Sequence, residues 1–163
     1  MIRRLVASDV QAYVALRGEA LDREPFAFGT SPGEDIARSV ARARRMLADP
    51  QNAVFGAFEP SLAGMVGVRR QARKKLHHKA EVWGMYVSEE HRRRGLGRQL
   101  MEAAIAYARQ LEGVRFLHLA VTERAETAAL LYDRLGFVAW GVEPAGLHVN
   151  GADVVEKHLV LTL

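Results

Sequence analysis

The sequence predicts one α/β (α+β) domain, a single mixed sheet with helices on its faces. Three observations carry that prediction. Apolar periodicity alternates between strand-like and helix-like spacing in the order β-αα-βββ-α-β-α-ββ. The 163 residues contain no internal repeat and no Gly/Ser/Pro-rich linker, so one core spanning 1–163 is expected. A composition of 49% hydrophobic and 26% charged residues is that of a folded globular chain and excludes disordered and collagen-like classes.

Each element has its own signal. Ile2 to Val6 reads as a short first strand. Ser8 and Gln11 have capping-box spacing, with Asp9 as the alternative cap. A helix then runs to about Arg23, with Val10, Val14 and Leu21 near one face and Tyr13, Leu16 and Ala20 beside it. Glu24 to Thr30 breaks it. Ser31-Pro32-Gly33-Glu34 combines a capping box with Pro at the first helical position, so a second helix is expected from there to Asp49-Pro50. Ile36, Val40, Ala43 and Leu47 form its apolar side and Arg38, Arg42 and Arg45 the other. Ala53–Phe58 and Leu62–Arg70 are two strands around a Glu59-Pro60-Ser61 turn. Ala80–Val87 is a third, which if regular puts Glu81, Trp83, Met85 and Val87 on one face. Gly95 to Leu111 is a strongly amphipathic helix on Leu96, Leu100, Ala104, Tyr107 and Leu111. Val114–Val121 is nearly continuous and apolar, as in a strand buried on both faces. Glu126–Leu135 is a helix stopped by Gly136. Phe137–Val142 and Val154–Leu161 close the chain as strands, with a type I′ turn signal at Asn150-Gly151.

Several chemistries are excluded outright. With no cysteine there is no disulfide, no thiolate nucleophile and no Cys-type zinc site. The six histidines show no metal-ligand spacing, so no metal is expected. Arg3 and Arg4 are followed by no apolar signal region, and no apolar run approaches the roughly 18 residues of a membrane span, so a cytoplasmic protein is expected. The net charge of +4 is concentrated: residues 69–79 hold six Lys/Arg and residues 92–98 four Arg, with no acid in either stretch. The rest of the chain is mildly acidic, with 13 basic against 19 acidic residues. Two such patches imply an anionic partner.

The patch at 92–98 lies where the sequence is most informative. A strand ending at Val87 runs into Arg92-Arg93-Arg94-Gly95-Leu96-Gly97-Arg98, and that loop opens a helix. The first turn of a helix carries unpaired N–H groups and a partial positive charge, and glycines let a bound anion approach the backbone. The arrangement is a phosphate or pyrophosphate cradle. There is no P-loop signature and no Gly-x-Gly-x-x-Gly after a strand.

Arg92-x-x-Gly95-x-Gly97 after a strand ending in Val, followed downstream by Ala128, Leu131-Tyr132 and Gly136-Phe137 at matching spacing, resembles the GNAT superfamily of acyl-CoA-dependent N-acyltransferases. The resemblance covers Glu81 to Phe137 in motif and the whole chain in element order. It implies a central, mostly antiparallel twisted sheet with helices on both faces and a splay between the fourth and fifth strands. One position departs from the pattern: the family's frequent Asn, which contacts the pantetheine arm, is Ala125 here.

The resemblance also implies a mechanism. Acetyl-CoA is the co-substrate and its pyrophosphate sits on the backbone of Arg93 to Arg98, within the cofactor-binding loop Arg92, Arg93, Arg94, Gly95, Leu96, Gly97, Arg98. The pantetheine arm pairs with Met85, Tyr86 and Val87, and a backbone N–H near Met85 polarises the thioester carbonyl. A bound primary amine attacks directly. Tyr132 is implied as the acid that protonates the leaving thiolate, and Glu81 as the base that serves the amine. The acceptor site is implied beneath the 24–30 segment, where Phe26 and Phe28 are candidate walls, with Arg17 and Glu19 on the preceding helix and the Glu143–Ala152 loop as further candidates. A homodimer is a further family expectation.

Two other classes stay open at the sequence level: a silent acyl-CoA-binding sensor, which Ala125 slightly favours whereas Tyr132 favours the enzyme, and a nucleic-acid binder using the basic 69–79 hairpin. No aromatic platform interleaves those charges, and they form no recognition-helix pattern. His118, between Phe116 and Ala120, reads as a core histidine near the splay.

Overall fold

The structure, a computed structural model, describes the backbone of all 163 residues and every side chain except that of Arg38. The order of elements is the one the periodicity predicts. β1 (Ile2–Arg4) leads through a 3-10 turn into α1 (Val10–Arg23), and a second 3-10 turn at Ile36–Arg38 leads into α2 (Val40–Ala48). β2 (Asn52–Phe58), β3 (Leu62–Arg70) and β4 (Lys79–Val87) follow, then α3 (Leu96–Gln110), β5 (Phe116–Thr122), α4 (Glu126–Arg134), β6 (Val138–Val149) and β7 (Ala152–Thr162). Seven strands form one sheet in the order β1-β2-β3-β4-β5-β7-β6, antiparallel throughout except for the β4–β5 pair.

Two apolar clusters hold the layers together. On one face α1 and α2 bury Val10, Tyr13, Leu16, Ala20, Ala43 and Leu47 against Val54, Met65 and Tyr86. On the other, α3 and α4 bury Leu100, Met101, Ala104 and Tyr132 against Val68, Val82, Leu117 and Leu119. Burial of this apolar surface is the main driving force, at roughly 25 cal/mol per Å².

Four local expectations are corrected. The second helix starts at Ser39, whose Oγ accepts from the Arg42 N–H, and not at Ser31. Half of the expected cap exists, since Glu34 accepts from the Ser31 N–H. Asp35, however, is drawn inward to Arg17 and caps a 3-10 turn through the Ala37 N–H, which interrupts the helix. The expected polar face at Arg38, Arg42 and Arg45 is described for the last two only, the Arg38 side chain lying outside the described residues.

β5 is not buried throughout on both faces: Leu117, Leu119 and Val121 point into the core, while on the second face His118 is half-buried, Ala120 exposed and Thr122 buried. The second face is covered only in part, by Ala27 and Phe28 at the cleft beside Ala120 and Thr122 and by the Trp140 ring against His118. The 143–152 segment is mostly strand. β6 continues to Val149 with a register shift between Glu143 and Leu147, tolerated because Pro144 sits in an edge strand. The turn at Asn150-Gly151 has both φ angles positive, 53° and 78°, as expected.

The fourth correction is in β4. Tyr86 faces Met65 and Trp83 faces Gly67, so Gly84 and Met85 together stand opposite Val66 alone. This is a β-bulge, and Gly84 takes the left-handed conformation it needs, φ 63°. The extra residue reverses the alternation. Glu81 and Trp83 share the α1/α2 face with Tyr86, while Met85 and Val87 pack on the α3/α4 face. Glu81 therefore does not share a face with Met85 and Val87.

Candidate functional site

β4 and β5 pair only at Lys79–Phe116, Ala80–Leu117 and Glu81–His118. Beyond that pair the strands part. The gap between them opens into a cleft of about 110 Å³ whose walls include Gly84 and Met85 of β4, Ala120 and Thr122 of β5, and Ala125 and Tyr132 of α4. Phe28 closes it from the α1–α2 connection. Thr122 is buried and its Oγ1 has no hydrogen-bond partner among the described residues, so a polar atom is left waiting inside the cleft.

Below the cleft the 92–98 loop turns into α3. Arg93 and Gly95 both have positive φ, 61° and 77°. No acceptor in the chain pairs with the backbone N–H groups of residues 93–98 among the described residues; the first helical pairing is from the Gln99 N–H to the Gly95 carbonyl. Successive free N–H groups in this conformation form an anion-binding concavity at the positive end of a 15-residue helix. A Cβ on Gly97 would approach the Met85 Cε to 3.3 Å, so the helix start packs closely on β4.

The arginine side chains of the loop are largely engaged elsewhere. Arg92 donates from Nε to the Val87 carbonyl at 3.0 Å and from Nη2 to Glu24 at 2.7 Å. Burial alone would lower the Arg92 pKa, but the Glu24 carboxylate outweighs that and raises it. Arg94 pairs with Glu59 at 3.4 Å and Arg98 with Glu102 at 2.8 Å. The anion-binding capacity lies in the backbone.

Tyr132 is 6% exposed and meets the Phe137 ring edge-on at 6.0 Å. Its hydroxyl donates to no acceptor among the described residues, and burial pushes its pKa up to about 12. Glu81 sits on the opposite face of the sheet and accepts from Arg69 Nη2 at 2.9 Å. Its register partner His118 has a buried Nε2 without a hydrogen-bond partner among the described residues. Burial, followed by Lys79, pushes the His118 pKa below its ordinary value. Tyr86 points away from the cleft and donates to Glu19 at 2.8 Å. That leaves its backbone alone on the splay.

A second, larger cavity of about 620 Å³ lies between α1, α2 and the sheet. Arg17, expected as an acceptor residue, lines it; Phe28 lines the smaller cleft, and Phe26 lines neither but lies under Arg124 at 4.0 Å. Trp83 borders both cavities. It lies flat against Gly67, where any Cβ would come within 2.1 Å of the indole, and its Nε1 donates to Asn52 at 3.1 Å. Trp83 and Thr122 are site residues that sequence reasoning missed. Alternation places both on the open face, but only the splay makes that face a cleft.

With that geometry in view, comparison with known proteins is direct. The profile of the acetyltransferase (GNAT) family matches residues 15–137, and the chain belongs to that family. No curated protein sequence matches it. Solved structures match over the full length: an acetyltransferase of the GNAT family from Streptococcus pneumoniae at 20% identity and TM-score 0.86, covering 100% of this chain and 99% of that one; a ribosomal-protein-alanine N-acetyltransferase from Brucella melitensis at 20% and 0.86, covering 100% and 99%; and yncA from Salmonella typhimurium, solved with its cofactor acetyl-CoA, at 19% and 0.86, covering 99% and 92%. The fold is thus the GNAT fold, with the parallel β4–β5 pair at the splay.

Proposed function

We propose that residues 1–163 form one acyl-CoA N-acyltransferase unit that moves an acetyl group from acetyl-CoA to a primary amine by direct attack in a ternary complex. The observation that carries this reading is the juxtaposition of splay and cradle: Met85 lines the cleft with Tyr132 and Thr122, and Gly97, among the residues at the start of α3 whose N–H groups lack an acceptor, packs on Met85. These residues fit acetyl-CoA. The backbone of 93–98 would take the pyrophosphate. The free β4 edge past Glu81 would pair with the amides of the arm, with the orphaned Thr122 Oγ1 beside it. Met85 has no register partner on β3, and its backbone N–H would face the thioester oxygen, where a donor stabilises charge as it develops.

The bulge also divides the proton transfers between the two faces of the sheet. Glu81 lies on the α1/α2 side, from which an amine approaches, and removes its proton. Tyr132 lies on the α4 side and donates to the departing thiolate sulfur. Its raised pKa keeps it protonated throughout the neutral range. No enzyme nucleophile is needed, consistent with the absence of cysteine.

The test is thiol release from acetyl-CoA with a panel of primary amines. Turnover with at least one amine is expected. Tight CoA binding with no turnover on any amine would instead favour the sensor reading.

A further inference from the structure

The cavity beside Trp83 is of small-ligand size at about 620 Å³. Four arginines, Arg17, Arg42, Arg45 and Arg69, line it against three carboxylates, Glu34, Asp35 and Asp49. The pairing among them is uneven. Asp35 is taken up by Arg17, through Nη2 at 2.8 Å and Nε at 3.2 Å. Arg69 is taken up by Glu81. Glu34 and Asp49 are exposed, and each accepts from a backbone N–H, of Ser31 and Gln51 respectively. Arg42 and Arg45, one helical turn apart on α2, have no ion-pair partner among the described residues.

A second feature is independent of that imbalance. Arg17 is 5% exposed, yet its Nη1 has no hydrogen-bond partner among the described residues. The same Nη1 would stand 3.3 Å from a Cβ on Gly84, so it reaches the bulge of β4. A buried cationic donor left unmade costs free energy unless something occupies it.

We infer that the acceptor is a small amine that carries a carboxylate, its negative charge taken up by the Arg42, Arg45 and Arg17 wall of this cavity. The inference rests on the acetyl-transfer reading for the amine but not for the carboxylate. Arginine is the side chain suited to that group, through its planar fork of donors. Seating the carboxylate against α1 and α2 leaves the amine on the Trp83 side, toward Glu81 and the splay.

The experiment compares L-leucine, L-methionine and L-glutamate with their α-carboxamides at equal concentrations of free amine. The carboxylates are expected to show the higher kcat/KM. In the R42Q/R45Q variant, where both changes are at exposed positions, the carboxylate-to-amide ratio should fall by about tenfold or more, mainly through KM. Arg44 is on the same helix but does not line the cavity, so R44Q should leave the ratio as it is. In parallel, N-acetylated L-leucine, L-methionine and L-glutamate and their amides are titrated against the CoA-loaded protein by calorimetry, which needs no catalysis. Tighter binding of the carboxylates that R42Q/R45Q abolishes supports the inference even without turnover, an outcome that would sink the acetyl-transfer reading alone. Equal binding of acids and amides, preference for amides, or a ratio insensitive to R42Q/R45Q overturns it.

Discussion

Replacing Tyr132 by Phe separates catalysis from stability unusually well in this protein. The hydroxyl has no acceptor among the described residues, and the ring contacts with Phe137 survive the change. The variant loses no protein hydrogen bond, so its stability should stay within about 0.5 kcal/mol of the parent. For a chain of this size that is a melting shift of about 2 °C or less. A missing general acid is a different matter. Such groups contribute about 10²–10⁴-fold, so turnover should fall at least about a hundredfold, or about 2.7 kcal/mol in the barrier. Thiol release measured over a range of acetyl-CoA gives kcat and KM, and a thermal melt on the same sample gives stability. Turnover within twofold of the parent would remove Tyr132 as the acid. A fall in turnover accompanied by a melting drop of many degrees would show instead that the hydroxyl holds the fold.

Other perturbations probe other links. Glu81→Gln should lower kcat by about 10²–10⁴-fold, with the deficit shrinking as pH rises and more of the amine is already neutral; a deficit constant with pH would count against Glu81 as base. Gly84→Ala forces a side chain into positive φ, costing about 1–2 kcal/mol, and brings a methyl to 3.3 Å from Arg17, so both the melting temperature and kcat should drop; an unchanged kcat would separate the bulge from the chemistry. For Asp35, burial works to raise the pKa, but hydrogen bonds from Arg17, Ala37 and Thr30 outweigh it and hold the carboxyl below its ordinary value. A depressed folded pKa gives stability that is complete above the unfolded value and lost as pH falls through the folded one. The pair should therefore weaken only below about pH 4. Asp35→Asn, which strands the buried Arg17 charge, should cost about 3–5 kcal/mol at neutral pH and flatten that acid limb in melts recorded against pH. Ala125 is the N-cap of α4 and offers no capping side chain. Ala125→Asn should add about 1 kcal/mol of stability and lower the KM for acetyl-CoA, because the position also borders the cleft; an unchanged KM would place the cofactor contact elsewhere.

The order of strands and helices was fully legible in the sequence, because hydrophobic period is a local property and each element carries enough of it. So was the strand–loop–helix turn at 92–98, where strand end, glycine spacing and helix start are contiguous in the chain. Local rules failed where a distant partner intervened. Ser31-Pro32-Gly33-Glu34 is a valid helix start taken alone, but the buried Arg17 pulls Asp35 out of register with it. The apolar run at 114–121 reads as buried on both faces, yet cover of the second face depends on the distant 27–28 segment, which reaches only the Ala120 and Thr122 end of the strand.

By itself, then, the sequence determined the fold family and the strand–loop–helix turn at 92–98, since each is written in contiguous or evenly spaced residues. Only the tertiary structure decided which face of the sheet Glu81 and Tyr132 occupy. A single inserted residue at Gly84 reverses every side chain before it relative to those after it, since alternation in a strand has period two. That reversal parts Met85 and Val87 from Glu81 and Trp83, leaving Trp83 at the arginine-lined cavity and Met85 on the other side of the sheet with Tyr132. No count along the chain reveals it, because the bulge exists only against the partner strand.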